Sequence, residues 1–84
     1  MSGFRVGQNG FQIEMDSGYT VSVQFGSFNY CSNRDNDDCS PLGSPNAEVA
    51  VIDPDGNFVA LSEQDDVLGY QTVSEVISLI NRFN

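Results

Sequence analysis

The sequence predicts an α+β fold, in which an antiparallel β-sheet of about four strands, formed by two hairpins, packs against one C-terminal helix. Three observations support this prediction. Polar and apolar residues alternate strictly over residues 11–25, a tight-turn sequence at residues 53–57 separates two apolar runs, and a helix capping box begins at Thr72. The length of 84 residues indicates a single domain, spanning residues 1–84.

The first hairpin is predicted from the alternation of apolar residues with polar neighbours on both sides of a turn. Phe11, Ile13 and Met15 alternate before the turn Asp16-Ser17-Gly18, and a second alternating run follows to residue 25. An alternation with a period of two residues predicts strands with one buried face and one wet face. A short strand at residues 4–6 is predicted to precede this hairpin.

The second hairpin is predicted at the apolar run 48–52, which the turn at residues 53–57 connects to a return strand at 58–61. A long loop at 26–46, rich in Gly, Ser, Asn and Pro, separates the two hairpins. An acidic loop at 62–66 follows the second hairpin.

The C-terminal helix is predicted over residues 73–83. The Thr72 hydroxyl is expected to accept a hydrogen bond from the backbone N–H of Glu75, while the Glu75 carboxylate accepts one from the N–H of Thr72. Apolar residues then recur at helical spacing: Val73, Val76, Ile77, Ile80 and Phe83. The helix is the most completely specified element of the sequence.

Charge excludes several classes of function. Twelve Asp and Glu residues oppose three cations, all arginines (Arg5, Arg34 and Arg82), and the net charge is −9. Because nucleic-acid affinity comes mainly from Lys and Arg contacts to phosphates, direct nucleic-acid binding is not expected. Anionic membrane surfaces would also repel the chain, whereas a basic protein surface would attract it.

Catalysis and metal binding find little support in the residue types. The chain has no His to act as a general base and no Lys to form a Schiff base. Two cysteines, Cys31 and Cys39, do not complete a tetrahedral zinc site, and the acidic run 35–38 does not match a calcium-binding loop. We therefore expect no enzyme activity, no metal and no cofactor.

The compartment is predicted from the same sequence. No apolar run reaches the length of a membrane span, and no apolar leader follows Met1, so a cytoplasmic protein is expected. In that compartment reduced thiols are the default for Cys31 and Cys39, with a small disulfide loop as the alternative.

Two groups of residues are candidates for binding a protein partner. Acids without a local structural explanation form two short runs, and two aromatic residues in the long loop resemble the anchors of recognition loops. An equally weighted alternative is that one aromatic folds back to cap the core. The candidate partner-binding residues are Phe28, Tyr30, Asp35, Asp37, Asp38, Glu63, Asp65 and Asp66.

Several stretches resemble small acidic proteins encoded by phages and mobile elements. The resemblance rests on residues 22–26, 29–31, 47–51 and 55–57 together with the terminal helix. It implies an anti-defence protein that acts in the host cell, for example against restriction or CRISPR effectors. In such proteins carboxylates can stand in for DNA phosphates. The leading hypothesis is therefore a non-enzymatic inhibitor that binds a basic nucleic-acid-handling host protein.

Two alternatives stay open. In the first, the chain is an oligomeric sponge for a small nucleotide signal, with Phe28 and Tyr30 stacking on the base and Arg34 holding phosphate. In the second, it is a virion or structural accessory domain whose charge only maintains solubility.

Overall fold

The structure is a computed structural model that describes residues 2–7, 9–26, 31 and 43–84. Its elements follow the chain in the order β1 (Gly3–Val6), β2 (Gly10–Glu14), β3 (Thr20–Gln24), β4 (Asn46–Ile52), β5 (Val67–Thr72) and α1 (Val73–Phe83).

The five strands form one antiparallel sheet in the order β1-β2-β3-β4-β5, with each strand beside its neighbour in sequence. The predicted α+β fold with one C-terminal helix is confirmed, and the strand count is five rather than about four. The short first strand and the first hairpin are also where the sequence placed them. Residues 11 and 23, and residues 13 and 21, lie directly opposite each other across that hairpin.

The second hairpin differs from its prediction. Residues 58–61 do not form a strand, and only an isolated bridge joins Phe58 to Ile52. The adjacent Val59 N–H donates to the Val51 carbonyl oxygen at 2.8 Å. The rest of the β4 edge pairs instead with β5, which the sequence did not predict. The segment after the turn thus contacts β4 only near Ile52. The loop at 62–66 then leads to β5, which pairs with the rest of β4.

An irregularity in β5 explains why its sequence pattern was weak. The pairing of β4 with β5 shifts register between Ala47 and Val49, which is a β-bulge or similar defect. Opposite that shift, Tyr70 adopts a positive φ of 55° next to Gly69. The extra residue disrupts the two-residue alternation by which strands are recognised in a sequence.

The core lies between the centre of the sheet and the helix. The buried valines of β3 and β4 contribute one face, and Leu79 of α1 packs against them. Val21 and Val51 are opposite each other and both fully buried, and the neighbouring pair Val23 and Val49 is also buried. The alternation in β3 therefore has the predicted consequence of one buried and one partly wet face.

Both ends of the helix are fixed by hydrogen bonds. The predicted capping box is present: the Glu75 N–H donates to Thr72 Oγ1 at 3.3 Å, and the Thr72 N–H donates to Glu75 Oε1 at 2.9 Å. At the other end, the Ser17 hydroxyl donates to the Phe83 carbonyl oxygen at 2.7 Å, and the rings of Tyr19 and Phe83 lie 5.2 Å apart. The helix therefore ends against the β2–β3 turn.

In the described part of the chain, no helix has the length and apolar character needed to cross a membrane.

A first prediction concerns the close approach of β2 to β3 at Gly10. A Cβ atom at this position would lie 2.0 Å from the Val23 carbonyl oxygen, whereas one at Gly3 would meet nothing within 4 Å. We expect Gly10→Ala to lower the free energy of unfolding by about 1–3 kcal/mol, the usual cost of overpacking. Gly3→Ala is the matched control, with an expected change within about 0.5 kcal/mol. Equal effects of both substitutions in urea denaturation would contradict this register.

A second prediction concerns pH. Backbone and side-chain hydrogen bonds with Thr72 lower the pKa of Glu75. Because the pKa is lower in the folded than in the unfolded state, the carboxylate stabilises the fold above the unfolded pKa, and this contribution is lost as pH falls through the folded pKa. We expect Glu75→Gln to flatten the decline in stability between about pH 5 and about pH 3. Denaturant midpoints measured across that window should show this, and an unchanged slope would refute the linkage.

Candidate functional site

Three connecting segments meet at one end of the sheet. The pairing of Glu14 with Thr20 and of Thr20 with Ile52 places the β2–β3 turn beside the turn that follows β4. The two turns touch, because a Cβ atom on Gly18 would lie 2.9 Å from Pro54 Cγ. The loop that precedes β5 reaches the same end, since Val67 pairs with Ala50.

These three segments bring carboxylates together, and we call this surface the acidic end. Six acidic residues form it, of which five are exposed and one, Asp53, is half-buried. Its members are Asp16, Asp53, Asp55, Glu63, Asp65 and Asp66.

One of these acids has a structural role. Asp53 Oδ1 accepts hydrogen bonds from the backbone N–H groups of Asp55 and Asn57, each at 2.9 Å. Gly56 completes the turn with a φ of 87°, which is the left-handed region that glycine tolerates. The turn chemistry predicted for this segment is thus present, and it explains why an Asp occupies position 53.

The acids of the 62–66 loop have no comparable role. The loop is held through its backbone: the Asp65 N–H donates to Ser62 Oγ at 3.1 Å, and the Leu61 N–H donates to the Asp65 carbonyl oxygen at 3.0 Å. Among the described residues, no hydrogen bond or ion pair involves the side chains of Glu63, Asp65 or Asp66. Their carboxylates are therefore available to an external partner.

The two described arginines differ in their position relative to these acids. Arg5 forms a salt bridge with Glu14 on β2, away from the 62–66 loop. Arg82 lies over the ring of Phe83, with its guanidinium carbon 5.1 Å from the ring centroid. The C-terminus of α1 is at the same end of the sheet as the acids, and Arg82 in its last turn offsets the negative end of the helix dipole there.

The structure brings together only some of the predicted site residues. Glu63, Asp65 and Asp66 lie at the acidic end as exposed neighbours in one loop. The other predicted partner-binding and ligand-binding residues lie outside the described residues: Phe28, Tyr30, Arg34, Asp35, Asp37 and Asp38. Sequence analysis missed Asp16 as a member of this surface and assigned Asp55 to turn formation alone. Only the strand register shows that Asp16 and Asp55 lie at the same end of the sheet as the 62–66 loop.

The cysteines are partly described. Cys31 is buried and free, and its thiol lies 3.5 Å from the Gly26 carbonyl oxygen. Cys39 lies outside the described residues.

A cavity of about 380 Å³ opens at the other end of the sheet, between the helix and strands β2–β4. Aromatic and aliphatic side chains form most of its wall, including Phe11, Phe25 and Ile80, and none of the described residues that line it is titratable. In the described ranges, no group of three or more His, Cys, Asp or Glu residues is arranged to hold a metal ion. The cavity can accommodate apolar groups, but its described wall contains no general acid or base.

No protein-family model, curated protein or solved structure matches this chain.

A third prediction separates the structural acid from the available ones. Asp53→Ala removes the acceptor of two backbone hydrogen bonds, and we expect it to lower the free energy of unfolding by about 1–2 kcal/mol. Asp55→Ala, two residues away in the same turn, should change it by less than about 0.5 kcal/mol. Chemical denaturation of the two variants tests this, and a larger loss for Asp55→Ala would contradict the assignment.

Proposed function

We propose that this protein is a non-enzymatic inhibitor that binds a basic, nucleic-acid-handling protein of host defence through its acidic end. One observation carries the proposal: three turns and loops converge to present exposed carboxylates, and three of them, Glu63, Asp65 and Asp66, have no partner among the described residues. Charges that no internal contact requires are available for recognition.

The proposed mechanism is electrostatic competition. A protein that handles nucleic acid presents Lys and Arg side chains toward phosphates. Clustered carboxylates at the acidic end would occupy part of that basic surface and exclude the nucleic acid. Complementary potentials of this kind accelerate encounter and make binding sensitive to salt.

Further elements of the proposal come from the sequence. Asp35, Asp37 and Asp38 would extend the carboxylate array, and Phe28 and Tyr30 would anchor it to the partner. The phage-type origin and action in the host cytoplasm follow from the resemblance to small acidic phage proteins. These assignments remain predictions, because the loop residues lie outside the described part of the chain.

Two considerations favour a binding protein over an enzyme or a nucleotide sponge. The apolar cavity has no titratable group in its described wall, so it offers no acid–base chemistry there. The same wall presents no cation to a phosphate. An array of exposed acids, in contrast, matches the chemistry of a basic protein surface.

The fourth prediction tests the acidic end with two variants of equal charge. Glu63→Gln/Asp65→Asn/Asp66→Asn and Asp35→Asn/Asp37→Asn/Asp38→Asn each remove three negative charges. Surface ion pairs contribute about 0.2–1 kcal/mol each, so we expect the first variant to weaken binding by roughly three- to 100-fold at low salt. The measurement is affinity for purified restriction and CRISPR effectors, with duplex DNA as the competitor.

Several outcomes would count against this proposal. If affinity in the wild type does not fall as salt rises, electrostatic competition is wrong. If only the second variant weakens binding, the acidic end is not the main contact surface. If duplex DNA and the protein bind an effector simultaneously without mutual loss of affinity, the inhibitor does not occupy the nucleic-acid surface.

A further inference from the structure

The helix leaves a corner of the sheet uncovered. It packs on β4 and β5, and its last residues reach the β2–β3 turn through Ser17 and Phe83. β1 has no substantial contact with it, and Phe11 of β2 faces it only across the cavity. The sheet face that carries the hydrophobic core at its centre is thus exposed to solvent along β1 and the adjacent edge of β2, as far as the described residues show.

The uncovered margin is apolar. Residues opposite each other in neighbouring strands project from the same face, so Phe4 lies with Ile13, and Val6 lies with Phe11 and Val23. Phe4 is 84% exposed and Val6 is 97% exposed, although both are on the face that carries the core. Such side chains are ordinarily the ones that a sheet buries.

The near flank of the helix continues this surface. Val73 and Ile77 are four residues apart on one side of α1, and they are 66% and 53% exposed. Both line the same cavity as Phe11, which is itself 37% exposed. We call the exposed apolar residues of this margin and of the adjacent helix flank the open face, with the members Phe4, Val6, Phe11, Val73 and Ile77.

Charge indicates which partner suits the open face. The first 13 residues contain Arg5 and no carboxylate, in a chain with a net charge of −9. Arg5 is on the opposite sheet face and is already paired with Glu14. Two copies of this protein would repel each other at most orientations, and the β1–β2 margin is where that repulsion is weakest. A basic partner would instead be drawn to the acidic end.

We propose that a second copy of this chain covers the open face. The two sheets pack face to face about a two-fold axis, and Phe4 and Val6 of each copy contact the open face of the other. Such an interface is isologous, so one self-complementary patch is sufficient to close the dimer. Aligned packing of two sheets at about 10 Å would place these side chains in contact.

The size of the patch sets the expected affinity. Stable complexes bury about 800 Å² on each partner, and the open face consists of only five principal side chains. We therefore expect a dimer that depends on concentration, with a dissociation constant on the order of micromolar.

The fifth prediction is tested by sedimentation equilibrium of the full chain from roughly 1 µM to 1 mM. Phe4→Thr/Val6→Thr places a β-branched side chain, which suits a strand, at both positions while reducing apolar surface, and it should raise the dissociation constant at least tenfold. Phe58→Thr is the matched control, because Phe58 is 58% exposed but outside the open face. This control should change the dissociation constant of the dimer by less than about twofold. Far-ultraviolet circular dichroism and the denaturant midpoint check that each variant is folded.

Salt distinguishes this association from binding at the acidic end. Added salt screens repulsion between two negative chains, so it should tighten the dimer, whereas it should weaken attraction to a basic partner. The proposal is overturned if the wild type remains monomeric at about 1 mM in high salt, or if the folded Phe4→Thr/Val6→Thr variant dimerises as well as the wild type. It is also overturned if Phe58→Thr weakens the dimer equally, since that would indicate nonspecific association.

Discussion

The fold depends on the packing of one short helix against a wider sheet. The helix has 11 residues and is therefore about 16 Å long and about 10 Å wide, whereas five strands spaced about 4.8 Å apart are about 19 Å across. It cannot cover the whole face. The buried residues accordingly concentrate on β3, β4 and the facing side of α1, where Val21, Val51 and Leu79 lie. The position of the helix thus determines which apolar side chains form the core and which remain exposed.

Two hydrogen-bonded contacts fix that position. The capping box at Thr72 begins the helix directly at the end of β5, so no linker lets it move away from that edge. The Ser17 hydroxyl and the Tyr19 ring then hold Phe83 at the β2–β3 turn. This anchoring has consequences at both ends of the sheet. It places the helix C-terminus near the exposed acids, and it leaves the β1–β2 margin without cover.

The surface consequently has an acidic region at one end of the sheet and an apolar region along the β1–β2 margin. At one end, connecting segments that are distant in sequence present carboxylates, of which Asp53 stabilises its turn and Glu63, Asp65 and Asp66 have no partner in the described residues. Along one margin, a segment without acids exposes Phe4 and Val6. The residues assigned to the two surfaces do not overlap, so the two proposed interactions would not compete for the same side chains.

Local sequence patterns predicted most of the helix and strand positions. They did not predict which elements distant in sequence lie side by side. The Thr72–Glu75 capping box and the alternation around the Asp16 turn are complete within a few residues, so the helix and first hairpin followed directly from the sequence. The strand β5 was missed because the irregularity at Gly69 and Tyr70 interrupts its alternation. Of the site, the acidic loop 62–66 was predicted.

The neighbours of that loop and the uncovered margin were beyond sequence analysis. The location of Asp16 and Asp55 at the same end of the sheet as the loop depends on strand register, which sets strands far apart in the chain side by side. The exposure of Phe4 and Val6 depends on where the helix lies, and the apolar alternation that identifies a strand face does not reveal whether anything covers it.

The most direct test of this account is an isotope-filtered nuclear Overhauser experiment on a mixture of labelled and unlabelled protein. Contacts are expected between Phe4 or Val6 of one copy and Phe11 or Ile77 of the other, and they should strengthen as salt rises. It would be contradicted if Phe4 and Val6 showed contacts only within their own chain, with the helix lying over β1 and β2. That result would mean that the helix covers the margin from which the surface assignments were derived.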